Sequence, residues 1–310
     1  MKVRSFPVTL WILLAVAFYA NCQRMHAEAH CPGNIASLHP RLVAGALLVI
    51  PVTVNQSGPY DFMVDTGSQL NVIDPALASQ LAFQTQGSVA LVRTATSSQA
   101  SVGILDSLQV DGQQVFHPVA VVQDLGAIQM ADRHIRGVLG ENFLAHFDVL
   151  IDYEHRLLCL DQKRLMERAL RGERVPLVRQ PYSAVESPLS PRLVISVNLS
   201  GMTIRPVLLQ LDSGSDGHIL YPGRNDLQQS LLKYSRLQGR EVSEGRRAFA
   251  IVPPQDMRIG SQTLRNTQFV TPISVDANIP YRQEDGLLAT ALLHRLFISH
   301  THNYVVLDPK

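Results

Sequence analysis

Charge is scarce in this chain: 17% of its 310 residues are Asp, Glu, Lys or Arg, and they nearly cancel to a net +1. No Lys/Arg stripe and no RNA-binding aromatic motif stands among them, so there is no electrostatic footprint for nucleic acid. With 46% hydrophobic residues over this length, the chain can bury two sizeable cores, and disorder is expected only near the ends. No Gly-x-Ser-x-Gly elbow surrounds Ser213 or Ser215, which argues against a serine hydrolase. No helix-opening Gly-rich loop supports a nucleotide site.

Long apolar runs are also few. The main one is N-terminal: Lys2 and Arg4 precede residues 8–20, which are apolar except for Thr9. A positive region followed by a run too short to span a bilayer reads as an export signal, assigned to residues 1–29 with cleavage at about 21–29, where Ala27-Glu28-Ala29 offers small residues. The mature protein is therefore expected to be periplasmic or secreted, with no stable membrane span; an anchor through the N-terminus is the alternative. Only three cysteines occur. Cys22 follows the apolar run, but Tyr19-Ala20-Asn21 is a poor match to a lipidation signal. Cys31 and Cys159 are open to two readings, a disulfide or two buried thiols, because sequence does not fix the distance between them.

What the chain does have is one rare motif twice. Asp65-Thr66-Gly67-Ser68 and Asp212-Ser213-Gly214-Ser215 each follow an apolar run, so each carboxylate is placed at a strand end leading into a tight Gly turn. Later come Gly137-Val138-Leu139-Gly140-Glu141-Asn142-Phe143-Leu144 and Gly286-Leu287-Leu288-Ala289-Thr290-Ala291-Leu292-Leu293. The two Asp are 147 positions apart and the two leading Gly are 149 apart. Leu48-Val49-Ile50-Pro51-Val52 and Leu193-Val194-Ile195-Ser196-Val197 extend the match upstream of the motifs. The period is that of a duplicated lobe and is too long for a solenoid repeat.

Short β-rich runs at 47–54, 89–93, 107–110, 115–122, 149–153 and 156–160, separated by Gly, Asp, Asn and Gln, predict a mainly β protein. Helical pattern is confined to 75–81, with Asp74 as N-cap and Pro75 at the first position, to 142–146, and to counterparts at 226–234 and 289–296. Residues 161–172 are charged and helix-compatible, and Ser187-Pro188-Leu189-Ser190-Pro191 is the strongest linker signal. The division that follows is a first lobe over 40–165, a linker over 166–191 and a second lobe over 192–310.

These residues resemble the pepsin and retropepsin aspartic proteases, in the paired motifs and in Gly140-Glu141-Asn142-Phe143-Leu144 running into Phe147-Asp148-Val149-Leu150-Ile151-Asp152-Tyr153. The second stretch is especially similar to retropepsin-like lobes of exported bacterial proteins. The resemblance runs from about Leu47 to the C-terminus. It implies an all-β, two-lobed pepsin-like fold, each lobe a retropepsin-like β-barrel with short helices. It implies an aspartic endopeptidase in which Asp65 and Asp212 activate water, acting on a peptide or protein, without metal or organic cofactor. Both halves lie in one chain, so a monomer suffices.

The chemistry requires the pair. Hydrolysis without a metal or a covalent intermediate needs one carboxylate to take a proton from water while another group donates one. At about 3 Å and an effective dielectric of about 20, two full negative charges repel by roughly 5 kcal/mol, or about 4 pK units, so one proton is shared; this dyad is a standard worked case of such coupling. The titration belongs to the pair, and neither Asp is assigned the acid role. Thr66 and Ser213 resemble the family's hydroxyls that bond across the two loops. Gly67 and Gly214 permit close backbone approach, and Ser68 and Ser215 are expected to donate hydrogen bonds to the carboxylates.

Residues 89–104, with the polar tip Thr94-Ala95-Thr96-Ser97-Ser98-Gln99, lie where the family places a substrate-covering hairpin, without the Tyr of the pepsin pattern. The counterpart near 239–251 carries Arg240, Glu241, Glu244, Arg246 and Arg247 and reads as a solvated hairpin. One departure stands out. Ala289 replaces the glycine that Gly140 supplies in lobe one, and the added methyl is expected to strain or displace the second loop by about 1 to 3 kcal/mol. A non-catalytic exported peptide-binding protein keeping this fold is therefore the alternative function. His300 and His302 have strand spacing for two metal ligands but no evident third, and metal binding is not assigned.

Overall fold

The apolar runs before the two Asp motifs fold as strands that end at the carboxylates. Ser57–Val64 leads into Asp65, and Val207–Asp212 ends on Asp212. In the first, side-chain alternation turns Phe62 and Val64 to the main core and leaves Met63 and Asp65 on the opposite face. Leu47–Val54 and Val194–Leu199 pair antiparallel on one side of these strands. Ile135–Leu139 and Gly286–Ala289 pair parallel on the other. This computed structural model describes residues 30–309 except 33, 34, 163, 179–188, 204, 224, 235, 243–246, 276–278, 280 and 281. The export signal, Cys22, the first two residues of the linker motif at 187–191 and the tip of the charged second hairpin lie outside the described residues.

The duplication is visible as topology. One sheet runs in the order Thr85–Val92, Ser97–Ile104, Val119–Val122, Asn71–Ile73, Ile135–Leu139, Ser57–Val64, Leu47–Val54, Ser107–Val110 and Gln113–Phe116, with Arg41–Val43 added beside Leu47–Val54. A second follows the same order with Arg236–Val242, Arg247–Ile251, Phe269–Pro272, His218–Leu220, Gly286–Ala289, Val207–Asp212, Val194–Leu199, Gln255–Ile259 and Gln262–Thr267. A third, six-stranded sheet is shared. Asp148–Asp152 and Leu157–Asp161 come from the first half, Leu293–Ser299 and Tyr304–Pro309 from the second, and the two hairpins pair antiparallel through Leu150 and Phe297. The fold is thus mainly β and two-lobed, and a continuous core links Phe62, Phe143 and Ile151 to Leu209, Phe269 and Ile298.

Local signals act where expected. Asp74 caps the helix Pro75–Gln80, its side chain accepting from the Leu77 N–H at 2.6 Å, with Pro75 in the first turn. Glu141–Leu144 and Asn225–Tyr234 are helical, and Leu165–Ala169 supplies the helix of the charged connection. Two expectations fail. The run 115–122 is two strands, Gln113–Phe116 and Val119–Val122, because His117 takes a left-handed φ of 54° and Pro118 has no N–H for a ladder. The stretch 289–296 is a single 3-10 turn, Thr290–Leu292, and then the strand Leu293–Ser299, since its apolar residues go into the shared sheet.

Of the two readings for the cysteines, the disulfide holds: Cys31 and Cys159 are bonded, Cα atoms 5.7 Å apart, joining the N-terminal segment to Leu157–Asp161. A disulfide is compatible with an exported protein. Among the described residues no helix is long and apolar enough to cross a membrane.

Candidate active site

Asp65 and Asp212 face each other where the two lobes meet, held by loops that interlock. The Thr66 hydroxyl donates to the Leu211 carbonyl at 3.1 Å and accepts from the Ser213 N–H at 3.0 Å. Reciprocally, the Ser213 hydroxyl donates to the Val64 carbonyl at 3.0 Å and accepts from the Thr66 N–H at 3.1 Å. Both side chains are fully enclosed, so these four bonds are shielded from water and strengthened accordingly.

The glycines leave no room for a side chain. A Cβ on Gly67 would stand 2.5 Å from Cγ of Asp212, and one on Gly214 would stand 2.5 Å from Cγ of Asp65. Each carboxylate therefore lies against the other loop's backbone. Asp65 Oδ1 accepts from the N–H groups of Gly67 at 2.8 Å and Ser68 at 3.1 Å, and Asp212 Oδ1 accepts from Gly214 at 2.8 Å.

The serine hydroxyls do something other than expected. Those of Ser68 and Ser215 donate to the carbonyls of Leu70 and Gly217, each at 2.8 Å, and so close the turns rather than reach the carboxylates. The donor to Asp65 is the Ser68 backbone. The structure brings all eight predicted residues into one assembly, with these two in a different part.

Burial raises the carboxyl groups of both Asp65 and Asp212, because removing charge from water favours the protonated form. The N–H bonds to Asp65 draw it back in part, whereas the neighbouring Asp65 charge pushes Asp212 up further. Each carboxylate still keeps an edge open to the cleft. Two buried carboxyls, each packed on the other loop's glycine and both favouring a proton, can share one, which gives an acid and a base in one site.

Ala289 does not displace the second loop. In lobe one a Cβ on Gly140 would collide with the Leu70 carbonyl and stand 2.8 Å from the Ser68 oxygen. Lobe two accommodates the methyl: Ala289 is buried and still pairs in register with Asp212. The chain then leaves in a 3-10 turn instead of the helix that follows Gly140.

Matching side chains secure the two segments from behind. The Gly140 N–H donates to Oδ1 of Asn71 at 3.1 Å, and the Ala289 N–H donates to Nδ1 of His218 at 3.0 Å. Asn71 and His218 each stand six residues after their Asp, so aligning the two halves position by position finds them. Burial lowers the His218 pKa to about 4, which keeps the ring neutral and Nδ1 free to accept.

Other partners had no sequence signal. Gln210 donates to the Gly67 carbonyl at 2.8 Å. Tyr153 from lobe one bonds Thr290 at 2.6 Å, and His300 from lobe two bonds Glu141 at 2.8 Å, so the residue after Gly140 and the residue after Ala289 are each tied to the opposite lobe. The His300 ring also faces the Phe147 carbonyl at 2.6 Å. Burial opposes its charge, but the Glu141 carboxylate and these acceptors outweigh that and raise its pKa. His302 sits 3.3 Å from Glu167 and stacks near Tyr304. Among the described residues no cluster of three metal-binding side chains occurs.

Thr85–Val92 and Ser97–Ile104 form the expected hairpin. Its tip is held by Arg282 of lobe two, whose guanidinium donates to the carbonyls of Arg93 and Thr94, stacks 4.2 Å over Tyr221 and lies 3.9 Å from Glu284.

Residues 50–143 match the aspartyl protease family. Among solved structures, the chain is similar to a retropepsin-like aspartic protease from Rickettsia conorii, with 22% identity over 43% of this chain and 95% of that one and a TM-score of 0.31. No curated protein matches the chain.

Proposed function

We propose that this chain, a member of the retropepsin- and pepsin-like superfamily, is an aspartic endopeptidase that hydrolyses peptide bonds with water activated between Asp65 and Asp212. The reading rests most on the reciprocal apposition of the two carboxylates, each packed on the other loop's glycine. In the shared-proton state the ionised Asp draws a proton from water as it attacks the peptide carbonyl, and the protonated Asp donates to the carbonyl oxygen. The tetrahedral intermediate then collapses, with the proton passing to the leaving amine. Thr66 and Ser213 fix the separation of the loops, Gly67 and Gly214 allow it, and a backbone N–H bonds one oxygen of each carboxylate.

On this reading both catalytic groups come from one monomer, with a first lobe over 40–165, a connection over 166–191 and a second lobe over 192–310. An extended peptide or unfolded protein is the substrate, no cofactor takes part, and the site of action is outside the cytoplasm. The undisturbed pairing of Asp212 with Ala289 favours this over a binding-only protein. Incubation of the mature protein with a denatured protein substrate between about pH 3 and 7, where one shared proton is expected, tests it. Cleavage blocked by a statine-type transition-state analogue is expected. Absence of cleavage across that range, with the analogue still bound, would favour the binding protein.

A further inference from the structure

The sheet face that carries Asp65 continues into a second apolar cluster, separate from the main core. Met63 precedes Asp65 by two residues and Val138 precedes Gly140 by two, so both share the carboxylate's side of the sheet, while Val64 and Leu139 point into the main core. Leu70 and Val72, after the loop, belong to the same cluster, as does Ala100 on the hairpin, with Leu91 and Val102 packed against it.

This cluster is met by a residue from elsewhere in the chain. Leu189, from the connection just before the first strand of lobe two, packs against the cluster. Next to it, the Ser190 carbonyl accepts from Nε2 of Gln69, four residues after Asp65, at 2.6 Å. A side chain against an apolar cluster, with a main-chain carbonyl bonded beside it, is how an extended peptide is bound, the backbone contact giving affinity and the apolar contact giving preference. The hairpin that carries Ala100 is tied to lobe two by the Arg282 bonds to its tip.

We propose that Leu189-Ser190 is a tethered occupant of the peptide-binding cleft, seated where an aliphatic residue of the substrate binds, and that substrate must displace it. The proposal rests on the endopeptidase reading for the identity of the competing ligand. A segment joined to the site by its own chain acts at an effective concentration on the order of millimolar, so modest intrinsic affinity suffices to keep the cleft filled. Apparent affinity for substrate is then reduced by the fraction of molecules in which the cleft is empty. Turnover of the bound complex is unaffected, because the occupant has already left. The occupant also marks the pocket's preference: a branched aliphatic side chain, uncharged, next to a small residue.

The test uses Leu189→Ala and Leu189→Asp, with Leu189→Met as the conservative control and thermal unfolding as the check on folding. Two quantities are measured: KM and kcat on a fluorogenic peptide with an aliphatic residue at the scissile bond, and Kd for a non-hydrolysable statine peptide. Removing three carbons of a half-buried side chain, at about half of the ~0.8 kcal/mol for a fully buried one, predicts KM and Kd lower by about tenfold in Leu189→Ala. The Asp variant is expected to fall at least as far, Met to stay near wild type, and kcat to stay within about twofold. Unchanged or raised KM and Kd in both folded variants would overturn the proposal and make Leu189 a fixed wall of the pocket. Tighter analogue binding without cleavage in any variant would uphold the occupant and sink the endopeptidase; cleavage with unchanged KM would do the reverse. Neither binding nor cleavage in any variant would remove both.

Discussion

His218→Asn separates the two lobes' ways of holding the segment behind the dyad. In lobe two His218 Nδ1 accepts from Ala289, so the ring must be neutral, whereas lobe one uses Asn71, which does not titrate. Burial holds the His218 pKa at about 4, against the ordinary value of 6.5. A buried, depressed histidine binds fewer protons folded than unfolded, so its effect on stability is constant above about pH 6.5 and turns destabilising as pH falls toward the folded pKa. The span between those two values corresponds to about 3 kcal/mol of lost stability at the acid end. Urea unfolding followed by circular dichroism at pH 7, 5.5 and 4 measures it. Wild type should lose about 3 kcal/mol more than His218→Asn over this range, and the variant's activity should persist further into acid. Parallel pH dependence in the two proteins would refute the claim that His218 is neutral and buried in the folded state.

Three further outcomes follow from the geometry. Gly67→Ala should abolish turnover and destabilise the fold by about 1 to 3 kcal/mol, because the new methyl would meet the Asp212 carboxylate; kinetics and thermal unfolding check both. Cys31→Ser should cost about 2 to 4 kcal/mol of stability, and reductant should lower the wild-type melting temperature toward that of the variant. His300→Gln should destabilise by about 3 to 5 kcal/mol at neutral pH by leaving buried Glu141 without its charged partner, and the loss should shrink when Glu141→Gln is added in a double-mutant cycle.

The sequence made the repeat legible, and with it the topology: equal spacing of the Asp and Gly motifs corresponds to two sheets with the same strand order. It also made the dyad loops legible, because the chemistry fixes residue types at adjacent positions. What it hid was long-range. Thr290 and Glu141 look alike as helix-opening residues, and only the shared sheet brings Tyr153 and His300 to them from the opposite halves. The strand 293–299 was misread because Leu and Phe at its spacing suit a helix equally well, and pairing with Asp148–Asp152 decides the matter. The hydroxyls of Ser68 and Ser215 were misassigned because the nearest acceptors are carbonyls two residues on, an arrangement set by turn geometry rather than by composition. That Ala289 keeps its register with Asp212 is likewise set by strand pairing, which the loss of a glycine at that position does not reveal.

The most direct test of the account is cleavage of a fluorogenic peptide by the monomeric protein with Asp65→Asn and Asp212→Asn made one at a time. Both carboxyls are needed in one site, so each variant should fall to background, a loss of at least about a thousandfold, while retaining wild-type unfolding behaviour. Residual activity of more than a few per cent in Asp212→Asn, or wild-type activity that appears only on dimerisation, would contradict the claim that Asp65 and Asp212 of one chain form the catalytic pair.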